Sequence, residues 1–163
     1  MRKRIIPPAK AETPVGPDDT WLDLTAIATV EVTSEDANFP IETVFGSNAE
    51  AGWRASKPGE QVVRLIFDAP IAISRILLRF RELHTERTQE FSLKCFAAAD
   101  GVREISRQQW NFSPTGSTVE LEDYAVKLDG VTLLELAIRP NISNDDSFAT
   151  LAEWRVGSSS MPR

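Results

Sequence analysis

The stretch Ala72-Ile-Ser-Arg-Ile-Leu-Leu-Arg-Phe-Arg-Glu82 decides the fold class. In an extended chain successive side chains point to opposite sides. Ala72, Ser74, Ile76, Leu78 and Phe80 therefore share one face, while Ile73, Arg75, Leu77, Arg79 and Arg81 share the other. One face is apolar and the other carries a row of guanidinium groups, which is the pattern of a half-buried strand. The chain keeps this habit on either side. Short apolar runs at about 24–33, 61–68, 91–98, 104–112, 118–128, 131–139 and 149–156 are separated by turn-forming segments. The separators are Lys57-Pro58-Gly59, Asp68-Ala69-Pro70, Ala99-Asp100-Gly101, Ser113-Pro114-Thr115-Gly116, Asp129-Gly130 and Arg139-Pro140-Asn141. Proline fixes φ and lacks an amide donor, and glycine reaches conformations closed to other residues, so these clusters read as loops. No stretch from 61 to 156 sustains a helical period beyond about two turns, and one short helix is expected around Ile41–Phe45. The pattern predicts an all-β chain of about eight strands, an antiparallel β-sandwich of the jelly-roll type.

A chain of 163 residues, 42% hydrophobic and 26% charged, has the size and composition of one packed domain. Pro7, Pro8, Pro14, Pro17 and Gly16 make residues 1–20 a poor source of regular structure, so the expected division is a flexible tail over 1–20, the sandwich over 21–157 and a flexible end over 158–163. No apolar run approaches the ~20 residues that cross a bilayer as a helix. Arg2, Lys3, Arg4 and Lys10 make the start basic, but Ile5 and Ile6 are too few for a signal-peptide core. A cytoplasmic address is expected, and the basic start reads as an unstructured end rather than a nucleic-acid arm. A net charge of −6 argues against a surface built to track phosphate backbones.

Catalytic chemistry lacks raw material. The chain has one cysteine, Cys95, and one histidine, His84. That excludes an internal disulfide and a multi-cysteine zinc site, and a nucleophile–base pair would have to use His84. There is no Gly-x-Ser-x-Gly elbow, phosphate-cradling glycine loop or dinucleotide fingerprint. Cys95 alternates with Phe91 and Leu93 and reads as a small buried hydrophobe. The protein is expected not to be an enzyme.

The order of five segments is informative: Glu31-Val-Thr-Ser-Glu-Asp36, Val44-Phe-Gly-Ser-Asn48, Gly52-Trp-Arg-Ala-Ser56, Val62-Val-Arg-Leu-Ile-Phe-Asp68 and Leu151-Ala-Glu-Trp-Arg-Val156. It resembles the discoidin or coagulation-factor C-type family of galactose-binding-like jelly rolls, over about residues 22–157. Gly52–Glu60 looks like a turn of the single-strand-break-repair scaffold's N-terminal domain, and Arg81–Leu93 with Ile138–Val156 looks like Doc-type domains. The resemblance implies a non-catalytic binding scaffold that meets its partner through loops at one end or through a sheet face. Where the family has Asp-Gly before the tryptophan, this chain has Gly46-Ser47, so one acid often used to hold a structural calcium is missing. Glu153 matches the acid of the closing strand, and Asp36 and Asn48 are the further oxygen donors of a possible calcium set. The alternative is that Glu153 caps a loop through backbone amides and no cofactor is present.

The loops 46–54, 82–90 and 139–148 are expected to meet at one end of the sandwich. They would bring Asn48, Trp53, Arg54, Arg81, His84, Arg87, Asn141, Asn144 and Asp145 within reach of one ligand. His84, Glu86 and Arg87 offer donors and acceptors close together, as polyol recognition needs. The plain alternative is a solvated loop. Trp154 alternates with Ala152 and Val156, and Trp110 with Phe112, so both read as core. Trp53 is the candidate for a partly exposed anchor, against the alternative that it packs under the preceding loop. Arg75, Arg79 and Arg81 either pair with carboxylates on neighbouring strands or dock an acidic partner. Two function classes follow: a carbohydrate-binding module acting through the loop end, or an intracellular protein-assembly module. Damaged-DNA binding ranks third.

Overall fold

The computed structural model describes residues 19–46 and 52–159. In chain order the elements are β1 (Asp19–Trp21), the helical turn α1 (Leu24–Ile27), β2 (Ala28–Val32), a 3-10 turn (Ile41–Phe45), β3 (Trp53–Pro58), β4 (Gln61–Arg81), β5 (Arg87–Ala97), β6 (Gly101–Phe112), β7 (Val119–Arg139), β8 (Phe148–Leu151) and β9 (Glu153–Ser159). Strands begin at Asp19 and end at Ser159, and those two residues pair with each other. The ordered sheet therefore reaches slightly past the limits of 21 and 157 set from composition. Residues 1–18 and 160–163, and with them most of the expected tail and end, lie outside the described residues.

Two long strands organise the molecule. β4 and β7 each span 21 residues and pair antiparallel from Gln61 opposite Ile138 to Arg81 opposite Val119. Asp68-Ala69-Pro70 and Asp129-Gly130, expected as loops, are bends inside these strands. The register shifts between Ile66 and Ile71, again to Ile73, and again to Arg75. Each shift inserts unpaired backbone, which bends a strand without ending it. Pro70 needs no partner for an amide it lacks, and Gly130, at φ +64°, supplies the left-handed residue the β7 bend requires. The shifts also change which side a residue faces. Ile73, expected beside the arginines, is buried and Ala72 is exposed, whereas Ile76, Leu78 and Phe80 turn inward as alternation predicts.

Beyond the bends each long strand serves a different layer. The first half of β4 carries β2, with Ala28 opposite Phe67, and the second half carries β9, with Glu153 opposite Arg79. The second half of β7 pairs with β5, which pairs with β6, and β1 closes the other edge on β9. The two layers trap the core between them. Phe80 of one and Phe91 of the other meet with ring centroids 5.1 Å apart. Trp154 is fully buried against Phe45 of the 3-10 turn, and each such side chain contributes roughly 1.5–3 kcal/mol of burial. A separate two-stranded ladder, β3 with β8, caps one end.

The 3-10 turn falls where a short helix was expected. Its first amide, of Ile41, donates to Glu35 Oε1 at 2.8 Å, and Thr43 Oγ1 donates to the carbonyls of Pro40 and Gly52 at 2.9 Å each. Ile41 and Val44 are its buried residues. This turn fixes Phe39 and Gly52 at the capped end of the sandwich.

Candidate functional site

The capped end is built around a buried arginine. The Arg87 side chain is 0% exposed. Its Nε donates to Glu82 Oε1 at 2.8 Å, Nη1 donates to Gln89 Oε1 at 3.1 Å and to the Pro140 carbonyl at 2.8 Å, and Nη2 donates to Thr150 Oγ1 at 3.2 Å. The guanidinium lies 4.8 Å from the Phe112 ring centroid. Thr150 in turn donates to the Arg81 carbonyl at 3.1 Å. One side chain thus ties β5, the 82–86 loop, the chain after β7, and β8.

Glu82 passes this order to the loop. Its Oε2 accepts the amides of His84 and Thr85 at 3.0 and 3.1 Å. Burial alone would raise the Glu82 carboxyl, but the Arg87 hydrogen bond and the loop amides outweigh it and hold the group below its ordinary value. The 82–86 turn is therefore shaped by an ionised carboxylate that is already matched.

Between this turn, Phe39 and the β3–β8 ladder lies a cleft of about 270 Å³. Phe39 (38% exposed) and Leu83 (53% exposed) supply apolar surface, and Arg54, Arg81, Glu82, His84 and Thr150 supply polar groups. Gly52, at φ +71°, forms part of its wall. A Cβ there would stand 2.9 Å from the Leu151 carbonyl oxygen, so only glycine fits.

Trp53, Arg54, Arg81 and His84 of the expected set all border this cleft. Trp53 is not an exposed anchor: it is 1% exposed, and its Nε1 donates to the Ser34 carbonyl at 3.0 Å. Pairing of Trp53 with Leu151 turns the ring under the 34–39 segment, where its apolar area is buried and its one donor is satisfied. Arg54 pairs across the ladder with Thr150 and stacks over Phe148 at 4.7 Å. His84 is exposed, as is Glu86.

Arg87 is not an open donor; four of its contacts are internal. Asn141 is buried and accepts the Ser143 amide at 3.0 Å, and Asn144 accepts the Asp146 amide at 2.9 Å. These are local turn-forming bonds. Asn141, Asn144 and the exposed Asp145 belong to a segment joined to the Gly59 turn through Gly59 N to Ser147 O at 3.0 Å, and none of the three borders the cleft. Asn48 lies outside the described residues.

Two of the three residues expected as calcium donors, Asp36 and Glu153, are described. Glu153 Oε1 accepts from Arg79 Nε at 3.1 Å, and Oε2 accepts from Arg155 Nε. Burial pushes this carboxyl up, yet the Arg155 and Arg79 bonds prevail and hold it down. Both oxygens are thus engaged by guanidinium groups rather than loop amides. Asp36 Oδ1 accepts the Asn38 amide at 2.9 Å. Among the described residues no group of three or more His, Cys, Asp or Glu side chains is arranged to hold a metal.

The arginine row is largely matched within the protein. Arg75 forks onto Asp123, with Nε to Oδ1 at 2.9 Å and Nη2 to Oδ2 at 2.6 Å, and lies over the Trp21 ring at 4.9 Å. Arg79 pairs with Glu153 as above, and Arg81 also has a partner. Trp110 is half-buried with its Nε1 on Ser117 Oγ at 3.0 Å, and Cys95 is buried. Sequence reasoning missed Phe39, Leu83, Glu82 and Thr150. A leucine standing alone in the polar run Glu82–Glu90 was the available signal for Leu83; Thr150 had none, because its place depends on the β3–β8 register.

No family model matches the chain, and no curated protein matches it. Solved structures do. The family 32 carbohydrate-binding module of Clostridium perfringens NanJ, in complex with galactose, superposes with a TM-score of 0.64 at 14% identity, covering 86% of this chain and 99% of that one. The family 32 module of AlyQ, in complex with 4,5-unsaturated mannuronic acid, gives 0.59 at 18% identity over 84% and 97%. A further C. perfringens module, CpGH89CBM32-5, in complex with GalNAc-β-1,3-galactose, gives 0.62 at 15% identity over 84% and 99%. The fold is an antiparallel β-sandwich of the galactose-binding-like type. These neighbours do not support the finer likeness to Doc-type and repair-scaffold domains.

Proposed function

We propose that the chain is a non-catalytic carbohydrate-binding module whose ligand sits in the cleft at the capped end. The observation that carries this reading is the pairing, in one cleft, of exposed Phe39 and Leu83 with Arg54, Arg81 and His84. A pyranose presents an apolar C–H face and a rim of hydroxyls, so it needs a flat apolar surface beside convergent donors and acceptors. The ligands of the structural neighbours, galactose among them, support the same assignment. His84 stands on an exposed loop, and burial pushes the Cys95 thiol up, so neither supports a nucleophilic mechanism. The alternative, an intracellular protein-assembly role, would dock its partner on the row Arg75, Arg79 and Arg81. With Arg75 and Arg79 engaged by Asp123 and Glu153, no observation favours it over carbohydrate.

A glycan array followed by titration calorimetry tests the assignment. At least one saccharide class should bind, and Phe39→Ala should weaken it at least tenfold while leaving the melting temperature within about 3 °C, because a half-exposed ring adds little to the core. Silence across the array, or binding untouched by Phe39→Ala, would overturn it.

A further inference from the structure

Among the described residues, Arg54 and Arg81 border the cleft beside one carboxylate, Glu82. Glu82 is the carboxylate on its wall, and that group is consumed by Arg87 and the two loop amides. Arg54 borders the same cleft, half-buried, and close enough to Arg87 for the two guanidinium groups to repel. Among the described residues the Arg54 side chain meets no carboxylate, and its guanidinium lies over the face of Phe148 at 4.7 Å. A ring against the guanidinium face leaves the in-plane N–H fork open, and that fork matches a carboxylate in bidentate geometry. In a chain of net charge −6, a half-buried arginine beside a like charge and with no acid among the described residues offers its fork to an anion.

We infer that the cleft takes an acidic saccharide, with the sugar carboxylate held by the Arg54 guanidinium and the adjoining C–H face laid against Phe39 and Leu83. The inference rests on the carbohydrate-binding reading and narrows it to one ligand class. A sugar carboxylate comes from a uronate or from a sialic acid. The pocket chemistry is the same for both, and the experiment separates them.

Titration calorimetry is run on the full chain with galacturonate and mannuronate trisaccharides, with 3′-sialyllactose, and with the carboxyl-reduced or asialo form of each. At least one acidic ligand should bind tenfold or more tightly than its neutral counterpart, and its affinity should fall as salt rises from 50 to 500 mM. Arg54→Gln should abolish that preference, Arg54→Lys should restore part of it, and neither should shift the melting temperature by more than about 3 °C. Equal binding of acidic and neutral forms would overturn the inference and leave the carbohydrate reading standing. A preference that survives Arg54→Gln would overturn the assignment to Arg54. No binding by any saccharide, neutral ones included, would remove both.

Discussion

Glu120 gives the structure its sharpest test. This carboxyl is 0% exposed, accepts one hydrogen bond from Gln89 Nε2 at 3.2 Å, and leaves Oε2 without a partner. Burial, reinforced by the neighbouring Glu122, raises it from 4.5 to about 9. The native protein therefore keeps a proton that the unfolded chain releases near pH 4.5, so stability must fall as the pH rises between those two values. Each pH unit inside the window is worth about 1.4 kcal/mol, and from pH 5 to pH 8 the loss comes to about 4 kcal/mol. Glu120→Gln keeps the acceptor for Gln89 and cannot ionise. Its amide nitrogen has to sit where Oε2 finds no partner, a cost of about 1–3 kcal/mol that does not vary with pH. The difference in unfolding free energy between variant and wild type should thus grow in favour of the variant by about 4 kcal/mol from pH 5 to pH 8, whatever its starting sign. Taking differences cancels most other titrating groups, including Tyr124, which burial raises to about 12 and which stays neutral throughout. Urea melts followed by tryptophan fluorescence at four pH values measure it. Parallel curves, with a difference constant to within about 1 kcal/mol, would refute the claim that Glu120 is native in its protonated form.

Two further outcomes follow from the capped end. Arg87→Met strands the Glu82 carboxylate and should cost about 3–5 kcal/mol in urea unfolding, with Glu82→Gln added on top recovering part of the loss; a single-variant cost below about 1 kcal/mol would mean that the pair does not hold the 82–86 turn. Gly52→Ala forces a Cβ against the Leu151 carbonyl oxygen at a positive φ, and should cost about 1–2 kcal/mol while weakening saccharide binding, whereas unchanged binding and stability would show that the β3–β8 ladder yields freely.

The sandwich was legible because side-chain alternation survives wherever pairing is regular. Ile76, Leu78 and Phe80 turn inward as read from the sequence, and the 3-10 turn stands over Ile41–Phe45. The reading failed where the chain changes layer. Asp68-Ala69-Pro70 has the composition of a loop, yet it bends one continuous strand because β7 bends beside it and keeps the two halves paired. At the start of β7 alternation would turn Val119 and Leu121 inward. Both are exposed, because Tyr124, Val126 and Leu128 fix the inward parity further along the strand and carry Glu120 into the interior with them. The site divides along the same line. His84, Arg54 and Arg81 reach the cleft because their loop and strand ends sit at one end of the sandwich, a property of topology that chain order conveys. Arg87 and Asn141 also carry hydrogen-bonding groups yet end up as internal struts, since whether a polar group faces the cleft or the protein depends on one pleat. Arg54 and Arg87 make the comparison directly: two guanidinium groups near enough to repel, one enclosed by Glu82, Gln89, Pro140 and Thr150, the other stacked on Phe148 with no acid beside it among the described residues. The enclosed guanidinium is satisfied by its own chain, whereas that of Arg54 keeps its in-plane fork for an anion at the cleft wall, and on that difference between two neighbouring arginines we infer an acidic ligand.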